Sequence, residues 1–327
     1  MKAAIIGATG FIGAHLSETC TGRGDRLSVL VRSPSAGEEL KEKGIEVVLG
    51  DLNDEEALRR VCARADVVFN LAGTLGGWGV PSDELESVNA RAPGRVVVCA
   101  AEAGAAKVVH VSTAGVTGPL PDGVFAGEEY PPQPATDYQR TKLGGEESAR
   151  SAHERCGIPL TIVRPAFVYG PGDMHKFSLF RAVARKRLVL VDGGRTRLHP
   201  VFVDDLVEGM LCAGARGPGA GEVYILAGPC AATVRKLIET IAWALAVPAP
   251  SLGLPRSLLL GLAAAAELGG RMLGFEPPLT RSRVDLFSTN YAYCTDRARR
   301  ELCFRPVTDL PVGVRMTADW YRKKGML

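Results

Sequence analysis

Tyr138 and Lys142, four residues apart, are the pair whose types and spacing most directly make chemistry in this sequence. On a helix such residues share one face, with Cβ atoms about 5–6 Å apart. An ammonium at that range favours the phenolate and is expected to lower the tyrosine pKa from its ordinary value of about 10. A tyrosine tuned in this way can trade a proton with a substrate hydroxyl near neutral pH, which is general acid–base work. The same spacing also occurs on plain solvated helices, so the pair takes its meaning from the elements that precede it.

Those elements are legible from the N-terminus. Lys2 to Ile6 is a short apolar run of the kind that forms a buried parallel strand. It leads straight into Gly7-Ala-Thr-Gly10-Phe-Ile-Gly13, after which His15 to Cys20 read as helix. At this spacing the first glycine permits a tight turn, the second lets backbone approach a pyrophosphate, and the third lets helix pack on strand. The phosphates would meet free amides and the positive end of the helix dipole. A second strand, Leu27 to Val31, ends in Arg32-Ser33 with no acidic residue to hold ribose hydroxyls. Arg32 suits a 2′-phosphate, favouring NADP(H) with NAD(H) as the alternative, or it is simply a solvated arginine. A third strand starts at Ile45 and ends at Asp51-Leu52, where Asp51 either bonds an adenine amino group or starts the turn into Asn53. The fourth, Val67 to Leu71, reaches the small residues Ala72 and Gly73, and the fifth, Val108 to Val111, delivers Ser112 and Thr113. Ligands of open parallel sheets sit beyond the carboxyl ends of the strands, so these tips should face one crevice.

Taken in order, the segments GATGFIG, VRS, GDL, NLAG, VSTAGVTG, YQRTK and, from Arg164 to Pro171, RPAFVYGP resemble the extended short-chain dehydrogenase/reductase family. That family includes nucleotide-sugar 4-epimerases and dehydratases, dihydroflavonol-reductase-like enzymes, and 3β-hydroxysteroid or sterol dehydrogenases. The likeness covers essentially the whole chain. It implies a doubly wound parallel α/β Rossmann sheet with a smaller C-terminal α/β substrate lobe. Residues 1–170 would bind the dinucleotide, and 171–327 would form the lobe, interleaved with returns to the main sheet. The resemblance further implies Tyr138 as the acid/base and Lys142 on the nicotinamide ribose. Counting back from Gly118, it places the residue that steadies the substrate oxygen at Thr113 rather than Ser112. Thr9, Phe11 and Ile12 in the first turn, Leu52, Leu71, Ala72 and Gly73 at strand tips, and Pro165 and Val168 beside the nicotinamide would complete the cofactor site. Asn89 matches a supporting asparagine. Thr117 departs from the usual aromatic before Gly118, which should alter pocket shape more than chemistry. Pro93 interrupts the helical run from Asp83 to Ala103, so a kink or restart is expected there.

Beyond Ile158–Arg164, read as the sixth strand, the alternation of strand and helix loosens. Phe177 to Lys186 reads as helix and Leu188 to Val191 as strand. His199 to Asp205 reads as a strand entering a helix from Leu206 to Ala213, with Asp204 or Asp205 as its cap. Val223 to Leu226 is a further strand, followed by a helix from Thr233 to Ala246. The unusual segment, 255–273, is apolar but too short and too interrupted for a bilayer span, which needs about 20 apolar residues. It is a helix buried in the lobe, a lipid-facing patch making peripheral membrane contact, or a dimer face. Together with the helix from Thr295 to Glu301, it resembles sterol-dehydrogenase-like members more than sugar-nucleotide ones. Trp78, in a glycine-rich loop, either stacks on a flat apolar substrate at the pocket mouth or is pinned at the surface. Thr74, His175 and His199 are further candidates for the substrate wall, although a lone histidine is more often structural.

At 327 residues the chain can bury a large core as one α/β unit with a smaller lobe. The net charge of +3 is spread without a basic block, which speaks against a nucleic-acid partner; the densest run, Arg181 to Arg187, reads as a solvated helix face. Eight cysteines show no CxxC pair or metal-type spacing, as expected for free thiols in a reducing compartment with no metal. Met1-Lys2 opens directly into a core strand with no signal peptide, so a cytoplasmic protein is expected. These readings converge on an NADP(H)-dependent oxidoreductase interconverting a secondary alcohol and a ketone on an apolar substrate, sterol-like or long-chain. By resemblance it would be a homodimer. The alternative is a nucleotide-sugar 4-epimerase or dehydratase with tightly held NAD(P), whose diphosphate Arg181, Arg185, Arg195 and Arg197 would meet. A third reading, a cofactor-binding scaffold without catalysis, runs against the intact Thr113, Tyr138 and Lys142.

Overall fold

The apolar runs form strands β1 (Lys2–Ile6), β2 (Arg26–Val31), β3 (Glu46–Leu49), β4 (Val67–Asn70), β5 (Val108–Val111) and β6 (Leu160–Pro165). In the computed structural model, which describes residues 1–76, 79–275 and 277–327, all of them pair in parallel. With β11 (Ala220–Leu226) beside β6, the seven strands run in the order β11-β6-β5-β4-β1-β2-β3. The chain thus winds outward from β1 in one direction and from β4 in the other, which opens a crevice between their carboxyl ends. Both faces are covered, so the strands need no polar alternation.

One face carries α1 (Phe11–Gly22), α8 (Val203–Arg216) and α12 (Asp296–Glu301), with Leu16, Leu206 and Met210 in one core with Ile5, Val29 and Phe69. The other carries α3 (Glu55–Cys62), α5 (Ala92–Glu102) and α6 (Asp137–Cys156), with Leu58, Val96 and Ala149 in a core with Ile6, Val68 and Leu160. Gly37 of α2 (Pro34–Glu42) lies against Val31 and Val47 at the β2–β3 edge. The run expected to kink at Pro93 begins as α4 (Ser82–Leu85), widens into a π-helical stretch at Glu86–Arg91, and resumes as α5. A proline lacks the amide for a regular helical bond, and the wider turn before it absorbs the defect.

Beyond residue 170 the chain alternates between lobe and sheet: α8 and β11 rejoin the main sheet, while α7 (Met174–Ala184), α9 (Val234–Leu245) and α13 (Leu310–Lys323) build a second core with Phe180, Ile241 and Tyr321. Short strand pairs stitch the lobe: β7 (Phe167–Tyr169) with β10 (Pro200–Phe202), β8 (Leu190–Val191) with β13 (Gly253–Leu254), and β9 (Arg197–Leu198) with β12 (Ala232–Thr233). α10 (Arg256–Leu273) and α11 (Arg281–Phe287) pack together through Leu259, Ala263 and Val284.

Several expectations are corrected. α8 starts at Val203 rather than Leu206, and neither aspartate of its first turn caps it. Asp204 instead bonds His15 Nδ1 at 2.8 Å, and Asp205 accepts from the amides of Val307 and Thr308 at 3.2 and 2.9 Å. Arg181 to Arg187 do not share a helix face, because α7 ends at Ala184. The C-terminal helix α13 went unread in the sequence. Among the described residues no helix is long and apolar enough to cross a membrane.

Candidate active site

The glycine turn is shaped by contacts that exclude any larger residue. Gly7 has φ +97°, and a Cβ there would lie 2.9 Å from the Ala72 amide nitrogen. At Gly13 a Cβ would meet the Gly7 carbonyl oxygen at 2.1 Å, so the first turn of α1 presses directly on the end of β1. Gly10 caps α1 without any side chain over its first amides. This cradle of bare backbone at a helix N-terminus fits the pyrophosphate of a dinucleotide. Thr9 is exposed on the turn, while Phe11 and Ile12 are half-buried behind it, Phe11 edge-on to His15 at 5.5 Å. At the tip of β2, Arg32 is exposed and makes no ion pair among the described residues, and Ser33 Oγ lies 2.7 Å from Ser35 Oγ. Asp51 Oδ1 accepts from the Asn53 amide at 2.7 Å, which is the turn arrangement, and the Leu52 carbonyl accepts from Arg95 at 2.6 Å.

Leu71, Ala72 and Gly73 carry the chain past this cradle toward α6. A Cβ on Gly73 would be 3.6 Å from Lys142 Nζ, so the β4 tip and the lysine adjoin. Thr74 is held through its backbone: Asn89 Oδ1 accepts from its amide at 2.9 Å and Asn89 Nδ2 donates to its carbonyl at 2.8 Å. Asn89 lies in the π-helical stretch and also reaches Thr141 Oγ1 of α6 at 3.2 Å, tying that loop to the helix.

α6 begins with a capping box, Thr136 bonding the Gln139 amide while Gln139 bonds back, and this fixes the helix start one residue before Tyr138. Lys142 is buried and donates to the Val111 carbonyl at 2.7 Å, at the end of β5. Thr113, two residues further along, accepts from the Gly115 amide at 3.2 Å and reaches the Tyr138 phenol. Tyr138, Thr113 and Lys142 therefore meet at one strand end. Their electrostatics differ from the sequence expectation. Burial pushes Tyr138 up to about 12, with only the Thr113 hydrogen bond drawing it back. Burial also brings Lys142 down to about 8, against the pull of Glu146. In the free protein the tyrosine is thus a firm proton holder rather than a lysine-activated phenolate.

Below the lysine, Glu146 accepts from Arg164 Nε and Nη2, both at 2.8 Å, and from Arg150 at 3.2 Å. Glu146 lies one turn beyond Lys142, so the stripe of Tyr138 and Lys142 extends to it; sequence reading missed it although the spacing was there. His15 and Gln139 carried no such signal. His15 bonds Asp204 and, through Nε2, the Pro171 carbonyl at 2.9 Å, joining α1 to the start of the lobe. Gln139 Nε2 donates to the Tyr291 hydroxyl at 3.2 Å.

The remaining candidates divide. Pro165 is buried at the end of β6, and Val168 in β7 packs into the main core. His175 is exposed at the start of α7 and lines a cleft of about 540 Å³ with Gly10, His15, Pro171 and Trp320. His199 is withdrawn from any substrate wall: it is buried, its Nε2 bonds the Gly228 carbonyl at 3.0 Å, and its Nδ1 accepts from the Tyr293 amide at 3.3 Å. Both ring nitrogens are spent on backbone, so it serves the packing. Trp78 lies outside the described residues. Thr117 is buried beside the Tyr293 phenol.

The model of the NAD dependent epimerase/dehydratase family matches residues 3–227. The chain is 30% identical to the 4-hydroxy-2-methyl-3-oxo-4-farnesyl-3,4-dihydroquinoline-1-oxide ketoreductase of Stigmatella aurantiaca, over 92% of this chain and 91% of that protein. It is 28% identical to sterol demethylase protein B of Methylococcus capsulatus, with 100% of each covered. A solved UDP-glucuronic acid 4-epimerase from Bacillus cereus in complex with NAD shares the fold, with a TM-score of 0.78 over 99% of each chain at 20% identity.

Proposed function

The chain belongs to the NAD dependent epimerase/dehydratase family, and from that premise we propose that it is a reductase or dehydrogenase interconverting a secondary alcohol and a ketone on an apolar substrate, with NADP(H). The coarser statement, an NAD(P)-dependent enzyme of the extended short-chain dehydrogenase/reductase type, follows from the family and from relatives named as reductases and dehydrogenases. The observation that carries the proposal is the meeting of Thr113, Tyr138 and Lys142 at the end of β5, beside the bare-backbone cradle of Gly7 to Gly13.

When bound, the dinucleotide supplies the hydride for reduction or accepts it for oxidation. Tyr138, protonated across the neutral range, donates its phenolic proton to the carbonyl oxygen in reduction, and its phenolate recovers a proton from the alcohol in oxidation. Thr113 donates a hydrogen bond to that same oxygen and fixes its position. Lys142, anchored by the Val111 carbonyl, stabilises the phenolate left after proton transfer and holds the ribose hydroxyls. Gly7, Gly10 and Gly13 receive the pyrophosphate, and the exposed Arg32 with Ser33 suits a 2′-phosphate. The substrate class rests on two full-length relatives, one named for a farnesyl-bearing ketone and one for sterols.

Tyr138→Phe tests the reading. Turnover with NADPH and apolar ketones should fall by roughly 10²–10⁴-fold, while fluorescence titration shows NADPH bound as tightly as before. Retained turnover would remove the tyrosine from its role, and lost NADPH binding would make the variant a structural casualty instead.

A further inference from the structure

Two features of the lobe have no part in this chemistry. α10 faces the lobe through Leu259, Ala263 and Gly270, a buried stripe at helical spacing. Its opposite side presents Leu258, Leu262, Leu268, Met272 and Leu273, with Gly261, Ala265 and Gly269 between them. At 100° per residue these positions span an arc of about 140° that contains no charged side chain. Met272 is 81% and Leu273 75% exposed, and Phe275, just past the helix end, is exposed as well. The helix has 18 residues, a length of about 27 Å. Lone exposed apolar residues are ordinary, but a contiguous face of this length is a contact surface.

The second feature is basic. Arg181, Arg185, Lys186 and Arg187 are all exposed at the C-terminal end of α7, and none pairs with a carboxylate among the described residues. The two features adjoin. Lys186 and Arg187 line a groove with Pro248 to Leu252, β8 runs beside β13, and the Arg256 amide at the start of α10 donates to Asp192 Oδ1 at 3.0 Å.

We propose that α10 and the Arg181–Arg187 cluster together dock on an anionic lipid bilayer. α10 lies flat at the headgroup boundary with its apolar arc in the acyl region, and the four cations meet lipid phosphates. Charge complementarity selects this occupant. A two-fold contact between copies through α10 would bring two such clusters toward one interface, where they repel, whereas an anionic headgroup layer satisfies both features at once. An apolar face combined with a basic patch supplies the two signals that stable yet reversible membrane attachment requires. Such docking follows from the apolar arc and the basic cluster alone, whichever substrate the site takes.

Vesicle flotation with phosphatidylcholine alone and with added phosphatidylglycerol is the test. The protein should float with the anionic vesicles and lose binding as salt rises. Leu262→Glu/Leu268→Glu should abolish flotation, and replacing Arg185, Lys186 and Arg187 by Ala should weaken it about fivefold per residue. Thermal unfolding and NADPH titration, unchanged in both variants, verify that they are folded. Three outcomes overturn the proposal: no flotation with either vesicle, flotation that both variants retain, or a solution dimer that the Leu262→Glu/Leu268→Glu variant splits.

Discussion

On the proposed function, Lys142 sets opposing demands on activity and stability. Its folded pKa, brought by burial to about 8 from an ordinary 10.5, means that the ammonium is present at neutral pH only at a cost to the fold. A depressed folded pKa contributes stability that is present above 10.5 and lost as pH falls through about 8. On the proposed function the demand runs the other way, because the ammonium that would hold the ribose and steady the phenolate disappears above about 8. NADPH affinity and ketone reduction should therefore decline as pH rises through that value. Lys142→Met should raise the unfolding temperature at neutral pH, depress turnover, and flatten the pH dependence of NADPH binding. Titrations and thermal unfolding on both sides of the inflection check all three, and an unchanged inflection in the variant would assign it elsewhere. That Lys142 shares a helix with Tyr138 was readable from sequence because a four-residue spacing is local geometry. Its effect was not, since burial depends on what packs over α6, and the amine is turned to the Val111 carbonyl. His199 went astray for the same reason: a sequence cannot show that Gly228 and Tyr293 occupy both of its nitrogens.

Helix α6 is placed by what lies under it. A Cβ on Gly145 would fall 2.1 Å from the Asn89 carbonyl oxygen, so α6 and the π-helical stretch touch backbone to backbone. One residue on, buried Glu146 receives two hydrogen bonds from Arg164 at 2.8 Å and thereby fastens α6 to β6. Burial pushes the Glu146 carboxyl up, but the Arg164 contacts outweigh it and hold the group below the usual carboxylate range. Its contribution to stability is thus present above its unfolded pKa of about 4.5 and lost as pH falls through the lower folded value. Glu146→Gln leaves a buried guanidinium without its counter-charge and should cost about 3–5 kcal/mol. Urea unfolding measures this, and a loss under about 1 kcal/mol would show the pair to be dispensable. At this scale the six main strands were legible because buried parallel strands are continuous apolar runs. Of the two-residue strands of the lobe only β8 lay in such a run; β9, β12 and β13 did not, since each is fixed by a partner far along the chain: Gly253 by Leu190, Thr233 by Arg197.

Across the whole molecule, lobe and sheet are laced together rather than joined by one hinge. β11 and α8 return to the sheet, Gln139 meets Tyr291, and His15 clasps both Asp204 and the Pro171 carbonyl beside the glycine turn. Both partners of His15 are acceptors, so the doubly protonated ring fits best. Burial opposes that charge, but Asp204 and Pro171 outweigh it and hold the pKa above 6.5. This clasp borders the cleft through which a dinucleotide would enter or leave, and the two functional readings make different demands on that passage. An epimerase or dehydratase regenerates its cofactor in place and gains from retaining it, whereas a reductase must exchange it at every turnover. On the proposed NADP(H) reading, the exposed Arg32, with no carboxylate partner among the described residues, would meet the 2′-phosphate from the solvent side. Freshly purified protein should therefore carry no stoichiometric dinucleotide after dialysis and should bind NADPH reversibly and more tightly than NADH. Arg32→Ala should weaken NADPH about tenfold or more, the size of a charged hydrogen bond, and leave NADH unchanged. Absorbance and mass spectrometry of the untreated protein, then titration, decide the matter. Dinucleotide that survives dialysis would favour the sugar-nucleotide alternative, and equal losses for both cofactors would take Arg32 out of the phosphate site.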